Sequence, residues 1–349
     1  MFFVSQKERM FFVEHLSLMI KGGIPIAEAL ETLKREAKSR IFRKALNDVS
    51  ERILEGESLN KSMRRHPKVF NKFFRSVVRV GEESGTLEEN LRYLSSSLRS
   101  EYSLRRKILG ALIYPILIIL IALTVVSIIV LFILPKLLNL FQALEVQLPL
   151  ATRALLNLGG FLQKYWLFIL VGIFLYFLIL RILQIFKFIR LYLHSRSISF
   201  PFFGQIEKNR NLAEFSRIFY TLLKSGVPIL EAFDICIDTL KNEVYKKKLL
   251  LARSGVEKGE KISQGLKRFP ESFPLIFSQM VLVGERTGTL EESFLYLSEF
   301  YEKEVDSAVK NISGLLEPVL LILVGLFVGF VVLAIITPIY QFTTGLRIR

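Results

Sequence analysis

Three glutamates have the clearest potential for binding chemistry in this chain. Two of them, Glu82 and Glu285, occupy the same place in two copies of the string Gly-Glu-x-[Ser/Thr]-Gly-Thr-Leu. A surface carboxylate present in both copies could bind an arginine or lysine of a partner, or a divalent ion. It could equally accept hydrogen bonds from backbone amides within its own turn, and the tightness of the turn favours this structural role.

The third glutamate, Glu317, lies against a long apolar run and has Tyr114 as its counterpart in the other copy. An ionisable residue at membrane depth is by default a candidate proton or ion site. Glu317 directly precedes Pro318 in the first turns of an apolar helix. Water, lipid headgroups and the helix N-terminus all stabilise negative charge there. The sequence therefore favours an interfacial position for Glu317 over a proton or ion site.

The residue types that common catalytic sites require are sparse. The chain has one cysteine, Cys236, and three histidines, none of them in a cluster with metal-ligand spacing. Segment 255–261 differs from a phosphate-binding loop in its spacing, and Glu260 stands where a phosphate would need a cation. No Gly-x-Ser-x-Gly or His-Glu-x-x-His sequence occurs. We expect no catalytic residue, no metal and no cofactor.

Most of the repeated string is explained by local backbone geometry. Its second glycine suits the left-handed conformation that ends a helix, and its threonine suits the N-cap of the next helix. A glutamate three residues after each threonine, Glu89 or Glu292, would complete a capping box. The motif residues in the two copies are Gly81, Glu82, Gly85, Thr86, Gly284, Glu285, Gly288 and Thr289.

The string belongs to a larger repeat with a fixed offset of 203 residues. The turn Lys-x-Gly-[Ile/Val]-Pro-Ile at residues 21–26 returns at residues 224–229. The register continues into apolar sequence, where it aligns Pro115 with Pro318 and Pro135 with Pro338. The repeated unit is therefore a soluble domain together with the apolar helix that follows it.

Composition and uncharged runs predict a membrane protein. The 349 residues are 51% hydrophobic, and their mean hydropathy is +0.41. Residues 108–134 and 318–342 carry no charge, and each run is long enough to cross a hydrocarbon core of about 30 Å. Residues 165–180 form a shorter run between Lys164 and Arg181, whose long side chains can reach the interfaces. We predict three transmembrane helices.

The distribution of basic residues predicts the orientation of these spans. Arginines and lysines lead into the first span and follow the second, whereas the connection between the two spans carries few. The N-terminus and the second soluble domain should therefore face the cytoplasm, where two copies of one domain belong together. The net charge of +15 comes from residues that alternate with acids and bracket the spans. This pattern favours anionic lipid over nucleic acid as the partner.

Both soluble domains are predicted to be helical bundles, because apolar positions such as Phe12, Leu16 and Met19 follow helical spacing. The predicted fold class is an all-α membrane protein with two homologous cytoplasmic helical-bundle domains and three transmembrane helices. The predicted segments are a cytoplasmic domain at 1–106, spans at 107–135, 164–189 and 312–342, an extracytoplasmic connection at 136–163, a second cytoplasmic domain at 190–311 and a short extracytoplasmic tail at 343–349.

The third span contains a pair of glycines, Gly325 and Gly329, in the small-xxx-small pattern that permits close approach of another helix. The first span does not repeat the pattern, since Ala122 and Val126 occupy the equivalent places. Intrachain packing and self-association both fit this pattern.

Together these features resemble the family of type II secretion system F proteins and type IV pilus assembly platform proteins. The resemblance covers nearly the whole chain and depends on the order and duplication of the Lys-x-Gly turns and the Gly-Glu strings. Further residues that carry it are Tyr114, Pro115, Leu148, Pro149, Thr152, Arg153, Glu317, Pro318, Gly325, Gly329 and Pro338.

The resemblance implies a bacterial inner-membrane platform without enzymatic activity. Its cytoplasmic domains would engage a hexameric assembly ATPase and transmit conformational work to pilin or pseudopilin transmembrane helices. Other inner-membrane assembly proteins, membrane lipids and further copies of the chain are the remaining expected partners. The basic helices, with Arg64 and Arg65 exposed on them, would face the ATPase, and spans one and three would handle the pilin helix.

Two other functions fit the residues alone. A small membrane transporter built on a parallel internal repeat would explain the duplication and the apolar spans. Three spans leave little protein to line a pathway, however, and Glu317 is the single carboxylate that lies against an apolar span. A membrane-bound sensor with paired ligand-binding domains is the third hypothesis.

Overall fold

The structure is a computed structural model of the chain and describes residues 4–129, 132, 150–183 and 203–345. Those residues form thirteen α-helices and no strand, which confirms the predicted all-α class. The helices before the connection are α1 Gln6–Lys21, α2 Ile26–Glu36, α3 Arg40–Leu54, α4 Leu59–Met63, α5 Lys72–Ser84 and α6 Leu87–Ile128. The remaining helices are α7 Leu150–Leu183, α8 Phe203–Lys224, α9 Ile229–Thr239, α10 Glu243–Glu257, α11 Ile262–Lys267, α12 Leu275–Thr287 and α13 Leu290–Gly345.

The repeat in sequence is also a repeat in structure. Five helix pairs, α2 to α6 with α9 to α13, begin 203 residues apart. The turn before α2 contains Gly23 with φ 79°, and the turn before α9 contains Gly226 with φ 84°. A proline, Pro25 or Pro228, directly precedes the next helix. Its fixed φ is compatible with the start of a helix, so the same short turn is built twice.

Each repeat has its own aromatic core. In the first repeat, the ring of Phe12 lies 6.0 Å from that of Phe70, measured between ring centroids. The equivalent rings of the second repeat, Phe215 and Phe273, are 6.1 Å apart. All four side chains are fully buried, and burial of a phenylalanine contributes up to about 3 kcal/mol each. Equivalent phenylalanines therefore form the core of both bundles, which is consistent with their common helix order.

The chain divides into two compact units. One unit contains Met1–Lys107 and Leu191–Ala308, and the other contains Ile108–Arg190 and Val309–Arg349. Helices α6 and α13 continue without interruption across these boundaries. Pro115 therefore lies inside α6 and does not begin a new helix, and Pro318 likewise lies inside α13. A proline inside a membrane helix is tolerated where neighbouring groups satisfy the exposed carbonyl.

Two of the described helices are long and apolar enough to cross a membrane, α6 and the Leu290–Ala334 part of α13. These correspond to the first and third predicted spans. The second predicted span, 164–189, falls on α7 as far as Leu183, and its last residues lie outside the described part of the chain. Its crossing of the membrane stays a prediction, as do the segment boundaries.

Candidate functional site

The carboxylate of Glu82 binds the start of a short helix. Its two oxygens accept hydrogen bonds from the backbone amides of Leu59 at 2.5 Å and Asn60 at 2.8 Å. These residues open α4, whose first amides have no acceptor within the helix. Helix α4 is thereby tied to α5, from which Glu82 projects.

Glu285 makes the same contact in the second repeat. It accepts from the amides of Ile262 and Ser263, the first two residues of α11, and also from the Ser263 hydroxyl. A carboxylate at a helix N-terminus also compensates the positive end of the helix dipole. The sequence favoured, over a partner or an ion, acceptor bonds of Glu82 and Glu285 to backbone amides within their own turn. That part was wrong, since the donors lie more than twenty residues earlier.

The first glycine of each string permits close contact between helices. A Cβ added to Gly81 would stand 2.9 Å from the Cα of Leu87, and one added to Gly284 would stand 3.0 Å from the Cα of Leu290. Real side chains do not approach backbone atoms this closely without a shift. The sequence singled out these glycines by repetition but gave no reason for them.

The second glycine of each string adopts the expected left-handed conformation, with φ 73° at Gly85 and 76° at Gly288. The predicted capping box does not form. The Thr86 hydroxyl contacts the Ser84 hydroxyl at 2.6 Å, and Thr289 contacts Thr287 in the same way. Each threonine hydroxyl lies beside the hydroxyl two residues earlier because the left-handed glycine folds the chain back there.

The two repeats contact each other through unlike surfaces. Helix α5 of the first repeat packs against α8 and α9 of the second. The Arg79 guanidinium lies 2.7 Å from the Glu231 carboxylate, and the Lys72 ammonium lies 2.7 Å from the Asp238 carboxylate. A Cβ on Gly226 would stand 3.5 Å from a methyl group of Val80. We call this set of contacts the inter-repeat interface.

A further carboxylate lies on α8, where the sequence gave no signal for it. Burial, together with the negative charge of Glu101 on α6 of the first repeat, raises the pKa of Glu214 to about 7. The Glu101 carboxylate accepts a hydrogen bond from the Gln6 side-chain amide. Two carboxylates from different repeats therefore lie near each other, and the pKa of one of them falls within the physiological range.

Tyr114 and Glu317 are paired. The Tyr114 hydroxyl donates to the Glu317 carboxylate at 3.0 Å, and the two residues occupy equivalent positions of the repeat. Close by, the Ser313 hydroxyl lies 3.5 Å from the carbonyl of Ala111. Helices α6 and α13 thus meet at equivalent points. The sequence aligned Tyr114 with Glu317 but did not predict that they touch.

Gly325 and Gly329 have a different environment. Within the part of the chain that the structure describes, no atom outside their own helix lies within 4 Å of a Cβ built on either glycine. Intrachain packing at these glycines is therefore not observed in that part. Self-association through them stays a prediction.

The surface around Arg64 and Arg65 is basic and accessible. Both arginines are exposed, whereas Met63 beside them is fully buried in the core. The Arg65 guanidinium lies 3.9 Å from the Glu57 carboxylate. Partial burial lowers the pKa of Arg75, and the positive charge of Arg64 lowers it further. Several cations thus share this face of the first repeat.

No cluster of three or more potential metal ligands occurs among the described residues. The glutamates of the repeated string bind backbone amides of their own bundles, and Glu317 binds a tyrosine. In the described chain, the three glutamates selected from the sequence therefore hold helices together.

Comparison with known proteins identifies the family. The family described as "Type II secretion system (T2SS), protein F" matches residues 12–135 and, a second time, residues 215–338. The two matches start 203 residues apart and together cover more than half of the chain. The chain belongs to this protein F family. The predicted family is confirmed, and its domain occurs once in each repeat.

Protein F relatives match this chain over almost its full length. The type IV pilus assembly protein PilC of Thermus thermophilus is 31% identical over 98% of this chain and 84% of its own length. PilC of Pseudomonas aeruginosa is 30% identical over 95% of this chain and 88% of its own length. The type II secretion system protein F of Vibrio cholerae is 28% identical over 97% of this chain and 83% of its own length.

Proposed function

We propose that this chain is an inner-membrane platform protein of a type IV pilus or type II secretion machine. Its relatives carry the names of pilus assembly and secretion proteins, and they match almost the whole chain. In this proposal it couples a cytoplasmic hexameric assembly ATPase to the assembly of pilin or pseudopilin and has no catalytic activity of its own. Its further partners are other inner-membrane assembly proteins, membrane lipids and additional copies of itself.

The observation that carries the proposal is the continuity of the two longest helices. Helix α6 has 42 residues and α13 has 56, and each begins inside a soluble bundle and ends in apolar sequence. In this proposal, a displacement of either bundle is carried along the shared helix into its apolar segment. An ATPase below the membrane could act on a pilin helix within it in this way.

The proposal places both bundles in the cytoplasm. Basic residues precede the first apolar run, and the repeat requires an even number of crossings between the two bundles. Reporter fusions inserted near Gly85 and Gly288 test this arrangement in intact cells. Both reporters should show a cytoplasmic location. Opposite locations would contradict the proposed topology.

The basic face at Arg64 and Arg65 is the proposed contact surface for the ATPase. A double substitution, Arg64→Glu with Arg65→Glu, places negative charge on an exposed surface and should leave the bundle folded. Copurification of the full-length protein with its assembly ATPase should fall about tenfold, because reversed charges oppose association.

The matched control is the equivalent pair in the second repeat, Lys267→Glu with Arg268→Glu. Both variants should keep the unfolding temperature of the native protein. If both retain the ATPase equally well, the first repeat has no special role in binding. If only the control variant loses it, the contact surface belongs to the second repeat.

A further inference from the structure

The inter-repeat interface is directional. Besides contacts that α6 makes, it packs α5 of the first repeat against α8 and α9 of the second repeat, which are the counterparts of α1 and α2. If the two repeats met through the same surface, neither repeat would keep a free copy of that surface. Because they meet through two different surfaces, each repeat keeps one of the two surfaces unoccupied. The surfaces left over are α12 in the second repeat and the α1–α2 surface in the first.

The α1–α2 surface is exposed where its counterpart is covered. Thr221 on α8 is 1% exposed, whereas its counterpart Leu18 on α1 is 60% exposed. Ile235 on α9 is fully buried, whereas its counterpart Thr32 on α2 is exposed. Phe11 adds a second exposed apolar side chain to α1. The first repeat thus exposes two apolar side chains, Leu18 and Phe11, on the surface whose counterpart the second repeat covers.

The α12 surface shows the same difference from α5. Phe73 on α5 is 4% exposed, whereas its counterpart Ile276 on α12 is 49% exposed. Val80 is partly buried beside Gly226 in the turn after α8, whereas its counterpart Val283 is 50% exposed. Leu275, the counterpart of Lys72, is 61% exposed. Helix α12 therefore exposes a row of aliphatic side chains that one helical face presents together.

We infer that the α12 surface of one copy docks on the α1–α2 surface of a second copy, repeating between chains the contact that α5 makes within a chain. Each surface exposes apolar side chains beside polar ones, and association of the surfaces removes the apolar side chains from water. Each copy carries one surface of each kind, and both copies are held in the same membrane. The contact is heterologous, so it continues from copy to copy and forms a ring if the rotation closes or an open array if it does not.

The counterparts of one intrachain ion pair specify the register of this contact. Lys72 and Asp238 lie together within a chain, so their counterparts Leu275 and Arg35 should lie together between chains. Arg35 is exposed, and among the described residues its one ion-pair contact is a long one of 4.0 Å with Glu31. The inference concerns self-association alone, and its tests need neither the ATPase nor a pilin. Its failure would leave the proposed function untouched.

Cysteine cross-linking of the full-length protein in membranes tests the contact directly. Two chains are coexpressed with different tags, one with Leu275→Cys and the other with Arg35→Cys, and a short bismaleimide is added. The native Cys236 is fully buried and should not react. The positive control carries Lys72→Cys and Asp238→Cys in a single chain and should form an intrachain link.

A covalent dimer should appear from the mixed pair and from neither chain alone. If the positive control links while the mixed pair yields no dimer, the inference is wrong. A dimer from either chain alone would show that like surfaces meet, and it would overturn the heterologous arrangement.

Charge substitution provides an independent test in detergent solution. Leu275→Arg places two like charges at the contact and should weaken self-association about tenfold or more. A second change, Arg35→Asp, should restore association by recreating the type of ion pair that Lys72 forms within the chain. Leu250→Arg changes a side chain of similar exposure on α10 and should have no effect. Absence of rescue, or an equal loss in the Leu250 variant, would refute the proposed register.

Discussion

The contact between Glu82 and the start of α4 makes a quantitative prediction. Glu82→Ala removes both acceptors from the amides of Leu59 and Asn60. A hydrogen bond to a charged group contributes about 1.5–3 kcal/mol. Glu82 is partly exposed, and water can replace some of the lost bonding. We therefore expect a loss of about 2–4 kcal/mol in the local stability of α4.

Nothing within α4 compensates for this loss. The Ser58 hydroxyl accepts from the amide of Lys61, and the Ser58 carbonyl accepts from the amide of Ser62. The first two amides of the described helix therefore depend on Glu82 alone. Glu82→Gln keeps one oxygen acceptor but loses the charge, so its effect should be about half as large.

Hydrogen exchange of the full-length protein, followed by mass spectrometry, measures this local stability. A loss of 2 kcal/mol corresponds to exchange about 30-fold faster for residues 58–66. Glu83→Ala is the matched control because Glu83 is exposed and forms only a surface ion pair with Arg79. Glu285→Ala should accelerate exchange at α11 and leave α4 unchanged.

The reasoning would be refuted if Glu82→Ala and Glu83→Ala gave the same exchange rates at α4. It would also be refuted if the effect of Glu285→Ala spread equally to both repeats. Uniform spreading would mean that the glutamate acts on the stability of the whole chain and not on the helix that it caps.

Three further predictions concern backbone space, pH and the apolar helices. Gly81→Ala should lower the free energy of unfolding by about 1–3 kcal/mol, because the added Cβ has no room. Gly85→Ala should lower it by about 1–2 kcal/mol, because alanine is strained at the positive φ of this position. The pKa of Glu214 is raised to about 7 in the folded protein, so folding favours the protonated carboxyl. The stability that this group contributes is therefore fully present below its ordinary pKa and is lost as pH rises through 7. Glu214→Gln should remove this dependence, worth up to about 3 kcal/mol, and unfolding temperatures between pH 5 and 8 measure it. Tyr114→Phe and Glu317→Ala should each lower the free energy of unfolding, and a double-mutant cycle should give a coupling of about 1 kcal/mol. Additive effects would show that their hydrogen bond contributes nothing.

The sequence predicted the features that depend on local chemistry. Helical periodicity gave the all-α class, and the left-handed conformations at Gly85 and Gly288 followed from the preference of glycine for positive φ. It failed where partners are distant in the chain. The capping box was wrong because Thr86 lies beside Ser84, and the glutamates of the string find their donors more than twenty residues away.

For the membrane segments, too, the sequence predicted the features that depend on composition and missed the ones that depend on tertiary structure. Uncharged runs of sufficient length predicted the apolar parts of α6 and α13, because hydrophobicity and length are properties of composition. The continuity of each of these helices from its bundle was not predicted. The sequence indicated a helix start near each proline, whereas α6 continues through Pro115 and α13 continues through Pro318.

The sequence by itself determined the duplication, the helical class, the family and the apolar segments. Each of these follows from the order and spacing of residues in the chain. Only the tertiary structure decided which unlike surfaces of the two repeats meet, and hence which surfaces are left exposed. That choice depends on packing and ion pairing between residues more than 150 positions apart, such as Arg79 with Glu231, and no local pattern encodes it.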